Sequence, residues 1–363
     1  MIREHCEVKD MFMNYFCKNG YSQTPTLDLI TSDRSIKFTN STIVGWKNNL
    51  LAGNVDKNGH VMYQPCLRLR GLNDKLTEES LMEKESNRFL GYFKMLGILG
   101  DKNREEAMQE DILGLLLNEY GMPKDRLRVY FSYEMDFLDI IGQELDMRIS
   151  KDRTVKWNYG VDGLVGEGAN FEILQKNGVP RQIGQLVKIS HEKDTIGYEF
   201  GFGIETFLAR KNDDKSYNSW AISQVVPEDL RFKSFLDVYS CLGATYSIPS
   251  ESITKRSRHE INKIRRTSLD MEEFVGVSPD KTNKIIADFV QLEFGKDVVA
   301  RVELELGKAR ETREGNRRRL ISFLEKNINK GVDREKIIKD AEMFNNNGLG
   351  ISKEFRGELY KRF

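Results

Sequence analysis

The sequence predicts an α+β fold, an antiparallel sheet with flanking helices followed by a mostly helical C-terminal half. Three observations predict it. Strand-like segments run through the first 224 residues without the regular strand–helix alternation of a parallel sheet. Within them, Met62–Gly100 reads as a hairpin: a polar-faced strand, a charge-rich connection and an apolar return strand. From Pro227 onward the periodicity is helical.

In chain order, Val8, Met11, Phe12, Tyr15 and Phe16 form a helical stripe over Val8–Asn19 that Gly20 closes. Ser35–Asn40 is the clearest early strand, and Val44–Leu51 a short helix before Gly53. In the hairpin, strand alternation sets Tyr63, Pro65, Leu67 and Leu69 on one face and Gln64, Cys66, Arg68 and Arg70 on the other. The return segment Arg88–Gly97 is apolar and aromatic except for Lys94 in its middle. Asn103–Tyr120 reads as an amphipathic helix stopped by Gly121 and Pro123. Leu127–Ser132, Thr154–Tyr159, Phe171–Leu174, Ile183–Ile189 and Gly197–Phe202 read as strands, and Ile204–Arg210 as a short helix buried through Ile204, Phe207 and Leu208. Gly201 and Gly203 make no dinucleotide fingerprint, because the third glycine and the downstream acid are absent.

Two guanidiniums on one strand face, Arg68 and Arg70, suit a polyanion such as a triphosphate, which fixed forks hold better than point charges. The alternative is an exposed sheet face carrying two solvated arginines.

A chain of 363 residues accommodates about two domains, with a boundary expected near 224 between domains 1–224 and 225–363. Net charge is zero, so no whole-chain field points to nucleic acid. The segment 225–363 holds 27 Lys/Arg against 23 Asp/Glu. Its basic residues bunch at Lys255, Arg256, Arg258, Lys263, Arg265 and Arg266, and again over Arg310–Arg319, including Arg317, Arg318 and Arg319. Such clusters track a phosphate backbone or form a solvated helix face, and Glu251, Glu260, Glu311 and Glu314 among them suit the second reading. Cys6, Cys17, Cys66 and Cys241 lie far apart with no metal-ligand spacing, which argues for a reducing compartment without disulfides or structural zinc. No apolar run approaches the ~20 residues of a membrane span and Met1–Lys9 is not a signal peptide, so a cytoplasmic protein with no membrane partner is expected.

The residues over about 8–222 resemble the core of alanyl-tRNA synthetases, a class II aminoacyl-tRNA synthetase family, in its archaeal form. Met11–Tyr21 is similar to the family's opening helix. Phe38-Thr39-Asn40 with Ile43 and Trp46 is similar to its first motif. Gln64–Leu69, Asn73-Asp74 and Phe93–Gly97 are similar to the second, and Gly201–Glu205 to the third. Trp157 and Gly168–Leu174 fall where the amino-acid pocket tryptophan and a neighbouring strand occur.

This resemblance implies a sheet of six or seven antiparallel strands and an adenylate-forming ligase using ATP and Mg²⁺. It implies that Arg68 holds the α-phosphate; Arg210, one helical turn from the position of the family's second catalytic arginine, is the candidate to substitute for it. Arg70, Phe93, Lys94 and Gly203 would complete the ATP site. Trp157, Glu199 and Gly201 would form the amino-acid pocket, Glu199 meeting the ammonium group, and Glu172 would be a carboxylate for Mg²⁺. The acceptor would be the acceptor stem of a tRNA, held by the basic residues of 225–363, or a carrier or small molecule. Three departures stand out. Thr206 occupies the position of the arginine that clamps the γ-phosphate, with Arg210 one turn on; Lys94 replaces a glutamate that meets the nucleotide; Glu199 replaces an aspartate. With only His5, His60, His191 and His259, the chain also has no zinc editing motif. The departures open an alternative, a paralogue that binds amino acid, nucleotide or RNA as a partner subunit without catalysis.

Overall fold

The computed structural model describes residues 2–31, 36–69, 90–132, 138–150, 156–158, 163–212, 230–346, 351 and 353–362. Its organising feature is the hairpin: β2 (His60–Leu67) and β3 (Tyr92–Asp101) pair antiparallel, with Cys66 opposite Phe93 and Gln64 opposite Met95. On β3 rests β9 (Asp194–Gly203), then β8 (Pro180–His191), β7 (Leu164–Leu174), β4 (Leu127–Ser132) and β5 (Asp146–Ser150). The two-residue β1 (Ser22–Gln23) adds to the β2 edge, and β6 (Lys156–Asn158) pairs with β7.

Among the described residues the sheet therefore has nine strands, against the six or seven expected. It is antiparallel except for β1 on β2 and β4 on β5, both parallel. The expected strand at Ser35–Asn40 is absent among its described residues, 36–40, which run irregularly with a bend at Lys37 and Phe38. Phe38 goes instead into an apolar contact and Thr39 bonds back to the 28–29 backbone (Oγ1 to the Asp28 carbonyl, 2.6 Å). The expected boundary at 224 and the loop 71–87 lie outside the described residues.

Period-two alternation gives the sheet two unlike faces. One buries Val61, Leu96, Ile98, Phe171, Tyr198, Phe200 and Phe202 under α1 (Ile2–Lys18), α3 (Glu105–Leu113), α4 (Asp139–Glu144) and α5 (Ile204–Lys211). The other carries a smaller cluster of Met62, Leu99, Leu164, Val187 and Ile189 under Ile43, Trp46 and Leu50, from a 3₁₀ turn (Thr42–Gly45) and α2 (Lys47–Leu51). That cluster covers only part of its face, and the uncovered remainder holds the cavities described below.

The helical region comprises α6 (Leu230–Tyr246), α7 (Lys255–Val275), α8 (Pro279–Phe294), the long α9 (Lys296–Asn329), α10 (Arg334–Asn346) and α11 (Lys353–Arg362). Local signals set the ends of α7 and α8. The hydroxyls of Thr254 and Ser278 cap their first turns, and Gly276 closes α7 with φ of 70°, a left-handed value that favours glycine. The apolar core of α6–α9 also takes in Phe38, Leu67 and Tyr92, so the helical region packs directly against the hairpin.

Candidate functional site

Two adjoining cavities open on the partly covered face of the sheet. The first, about 500 Å³, is lined by Ile43, Lys47, Arg68, Trp157, Gln185 and Glu199 among others. The second, about 180 Å³, is lined by Arg68, Phe93, Gln185, Gly203, Thr206 and Arg210 among others. Arg68, Met95, Gln185 and Gly201 line both, so the cavities meet at these residues.

Glu199 forms the floor of the first cavity. Its strand β9 turns Tyr198, Phe200 and Phe202 into the main core, which leaves Glu199, Gly201 and Gly203 on the cavity face, as alternation predicts. The carboxylate is buried, and burial pushes its pKa up to about 7. The Thr42 hydroxyl, donating at 3.0 Å, the charge of Arg68 and the Ile43 backbone N–H oppose that rise. Thr42 was not singled out by the sequence, and its contact spans 157 residues of chain.

Gly97 lets this contact form. A Cβ there would lie 2.6 Å from the Thr42 hydroxyl and 3.0 Å from its Cβ. Gly97→Ala is therefore expected to destabilise the fold by about 1–3 kcal/mol through overpacking and to push Thr42 off Glu199. Chemical denaturation, together with a rise in the Glu199 pKa followed by ¹³C NMR, checks this; unchanged stability and titration would show that Thr42 has room to move. Above the same face the ring of Trp157 lies over Gly168, where a Cβ would come within 2.7 Å of it.

Arg68 follows the last residue of β2. Its Nε donates to the Asn40 carbonyl at 2.9 Å, and its guanidinium lies 4.8 Å from the centroid of the Phe93 ring. The fork and the ring thus form a stacked pair at the junction of the cavities. Two anchors hold the wall they face: Gln64, fully buried, accepts from the Leu27 N–H and donates to the Leu27 carbonyl, and the Trp46 indole donates to Thr24.

The structure brings Arg68, Phe93, Trp157, Glu199, Gly201, Gly203 and Arg210 to one surface. It also sets Thr206 and Arg210, one turn apart on α5, against the same cavity. Arg70 lies outside the described residues. Lys94 is elsewhere: alternation on β3 turns it to the opposite face from Phe93 and Met95, where its amine pairs with Glu293 of α8 at 2.5 Å. The expectation that Lys94 contacts the nucleotide fails on this geometry. Glu172 is on the cavity side of β7 but pairs with Arg128 at 3.2 Å. Among the described residues no group of three or more His, Cys, Asp or Glu side chains is placed to hold a metal ion. The described residues thus form no protein cage for Mg²⁺.

Residues 7–182 match the family described as tRNA synthetases class II (A). Over 128 residues the chain is 31% identical to the mitochondrial alanine–tRNA ligase of Dictyostelium discoideum, a match covering 34% of this chain and 13% of that ligase. Residues 7–182 are thus similar to class II tRNA synthetases, and part of the chain to an alanine–tRNA ligase, of whose length it spans only a small share. Among solved structures, similarity is found to a pyrrolysyl tRNA synthetase of Desulfitobacterium hafniense (12% identity, 59% of this chain and 71% of that one, TM-score 0.37). It is also found to the RNA binding domain of threonyl-tRNA synthetase from Cryptosporidium parvum Iowa II (10% identity, 58% and 64%, TM-score 0.37). No helix among the described residues is long and apolar enough to cross a membrane.

Beyond the matched residues, the basic residues of the helical region divide into two groups. Lys255, Arg256, Arg258, Lys263 and Arg266 on α7 and Arg318 and Arg319 on α9 are exposed. Arg265 pairs with Glu305 at 3.0 Å, and Arg317 pairs with Glu273 and Glu314 and stacks on Phe355. Arg310 and Arg313 likewise engage Glu272, Asp270 and Glu273. Much of the Arg310–Arg319 cluster is thus internal bracing between α7 and α9 rather than a free basic surface. The sequence showed the charges but not their partners, which are mostly 38–47 residues away.

Proposed function

We propose that the two cavities form one site that activates an amino acid with ATP, as an alanyl-tRNA synthetase-like ligase. The observation that carries this is their junction at Arg68: a buried carboxylate, Glu199, floors one cavity, and Phe93 and Arg210 line the other. The ammonium group meets Glu199 under Trp157, and the adenine lies beside Phe93. The substrate carboxylate attacks the α-phosphorus; an acyl–phosphate bond forms, the bond to the bridging oxygen breaks, and pyrophosphate leaves. Arg68 stabilises charge gathering on the α-phosphate. Arg210 takes the far phosphates in place of Thr206. No side chain acts as nucleophile, so catalysis rests on alignment and electrostatics. Mg²⁺ would arrive on the ATP phosphates, as this small, strongly hydrated ion commonly does.

Residues 1–224 would be the adenylation unit, and the helical region, 225–363, would present a tRNA acceptor stem, a carrier or a small acceptor to it. Amino-acid-dependent ATP–pyrophosphate exchange across the common amino acids tests the activity. Exchange with one of them supports the ligase. Silence with all, in protein that still binds ATP or tRNA, supports the second reading, a binding partner without catalysis, which Thr206 in the second cavity favours.

The division of the arginines gives a further expectation. Replacing Lys255, Arg256, Arg258, Lys263 and Arg266 by Ser should weaken tRNA binding and flatten its dependence on log salt concentration, by close to one unit for each phosphate no longer neutralised. Arg317→Ala should lower the unfolding midpoint instead, with little change in that slope. Binding that is independent of salt, or unaffected by the five replacements, would leave α7 as a solvated face.

A further inference from the structure

Lys94 stands apart from the candidate site, yet its neighbours on β3 are the residues that site depends on. In the run Gly91 to Lys94, three residues, Gly91, Tyr92 and Lys94, are held from outside the strand. The Gly91 N–H donates to both carboxylate oxygens of Asp237 on α6, at 2.9 and 3.1 Å. The Tyr92 hydroxyl donates to Glu293 on α8 at 3.2 Å, and its ring lies 5.1 Å from that of Phe294. The Lys94 amine pairs with the same Glu293 at 2.5 Å, and the Lys94 N–H donates to both oxygens of Glu205 on α5. Phe93 is the member of this run whose side chain faces the second cavity. The Arg68 N–H in turn donates to the Gly91 carbonyl at 2.7 Å.

We infer that Asp237, Glu293 and Lys94 form a clamp through which the docked helical region positions Phe93 and Arg68 for the nucleotide. The inference rests on the nucleotide reading of the second cavity. Its physical basis is burial. The Lys94 side chain is 4% exposed and Asp237 2%, so protein groups, Glu293 and the Gly91 N–H among them, rather than water meet these charges. Removing one partner of such a pair withdraws compensation from a buried charge, and the cost falls on the local backbone. The backbone in question carries the ring on one face and the clamp on the other, in a strand whose successive side chains point to opposite faces. Lys94, Glu293 and Asp237 are positioning residues: none lines either cavity. The lysine that replaces an acid within the second motif thereby has a place in the structure as the partner of an acid 199 residues downstream. Because coupling is reciprocal, a ligand that tightens the docking of α6 and α8 strengthens nucleotide binding, and nucleotide tightens the docking.

The test measures the dissociation constant for a fluorescent ATP analogue with the full-length chain and three variants, Lys94→Met, Glu293→Gln and the charge swap Lys94→Glu/Glu293→Lys. Thermal unfolding of each verifies the fold. Each single variant is expected to weaken the analogue by roughly tenfold, within the usual range of coupling between sites. The swap should recover most of that loss, which general loosening of the interface would not produce. Hydrogen exchange of the 90–96 peptide should rise in the single variants and fall again in the swap. Folded Glu293→Gln protein with wild-type affinity would overturn the clamp and leave the nucleotide reading intact. Wild-type protein that binds no ATP analogue would overturn both.

Discussion

Replacing Arg68 by alanine is expected to lower the rate of ATP–pyrophosphate exchange by ~10²-fold or more, the usual loss when a preorganised charge-stabilising donor is removed. Thermal stability should change little. The guanidinium stands exposed at the cavity junction, bonding the Asn40 carbonyl and stacking on Phe93 rather than supporting a buried network. Arg68→Lys should recover little of the rate, since an ammonium offers neither the planar fork nor the stacking surface. Saturation in ATP separates the contributions: a ground-state contact alone would raise KM for ATP at constant kcat, whereas stabilisation of charge developing on the α-phosphate lowers kcat. An unchanged exchange rate in folded Arg68→Ala protein would remove Arg68 from the chemistry.

The second large effect is expected at Glu199. The substrate ammonium needs the carboxylate ionised, and burial raises its pKa to about 7, so amino-acid affinity should fall as the pH drops below 7 and level off above it. Glu199→Gln, which cannot ionise, should weaken the amino acid by about 10²-fold, as loss of one partner of a buried charged pair does, and should abolish that pH dependence. Stability should move the other way. The folded-state pKa of Glu199 lies above its ordinary value of 4.5. The folded state therefore holds the proton more tightly, and the stability this contributes is present below about pH 4.5 and lost as the pH rises through 7. Glu199→Gln removes that loss, so the variant should unfold no earlier than wild type at pH 8 while binding its amino acid worse. A variant that is less stable at pH 8 would mark Glu199 as a structural carboxylate, held charged by Thr42 and Ile43 rather than for a substrate.

The placement of these two side chains was legible in the sequence, their roles only through the resemblance. Glu199 lies on a strand and Arg68 directly follows one, and a period of two says which side chains share a face even when nothing says what covers it. The same rule places Lys94 away from Phe93 in register, which the resemblance to a nucleotide-contacting position had obscured. What alternation cannot supply is the partner across the fold. Thr42 on Glu199, Glu293 on Lys94 and Glu273 on Arg317 are contacts between residues 157, 199 and 44 apart. Nothing local in the sequence marks those pairs. The short parallel edge strands were equally hidden: β1 has two residues, and β5 carries the charges Asp146 and Arg148, which pair with each other on its exposed face. The strand expected at Ser35–Asn40 failed because Phe38 finds its apolar partners in the helical region, a tertiary contact that overrides β propensity.

On the proposed function, one amino acid and one nucleotide meet at Arg68. The measurement that tests it most directly is the mass of the small molecule retained by the protein after incubation with ATP, Mg²⁺ and the mixed amino acids. A single aminoacyl-adenylate is expected, absent from both Arg68→Ala and Glu199→Gln protein. Retention of unreacted ATP alone, or of no nucleotide at all, would contradict the claim.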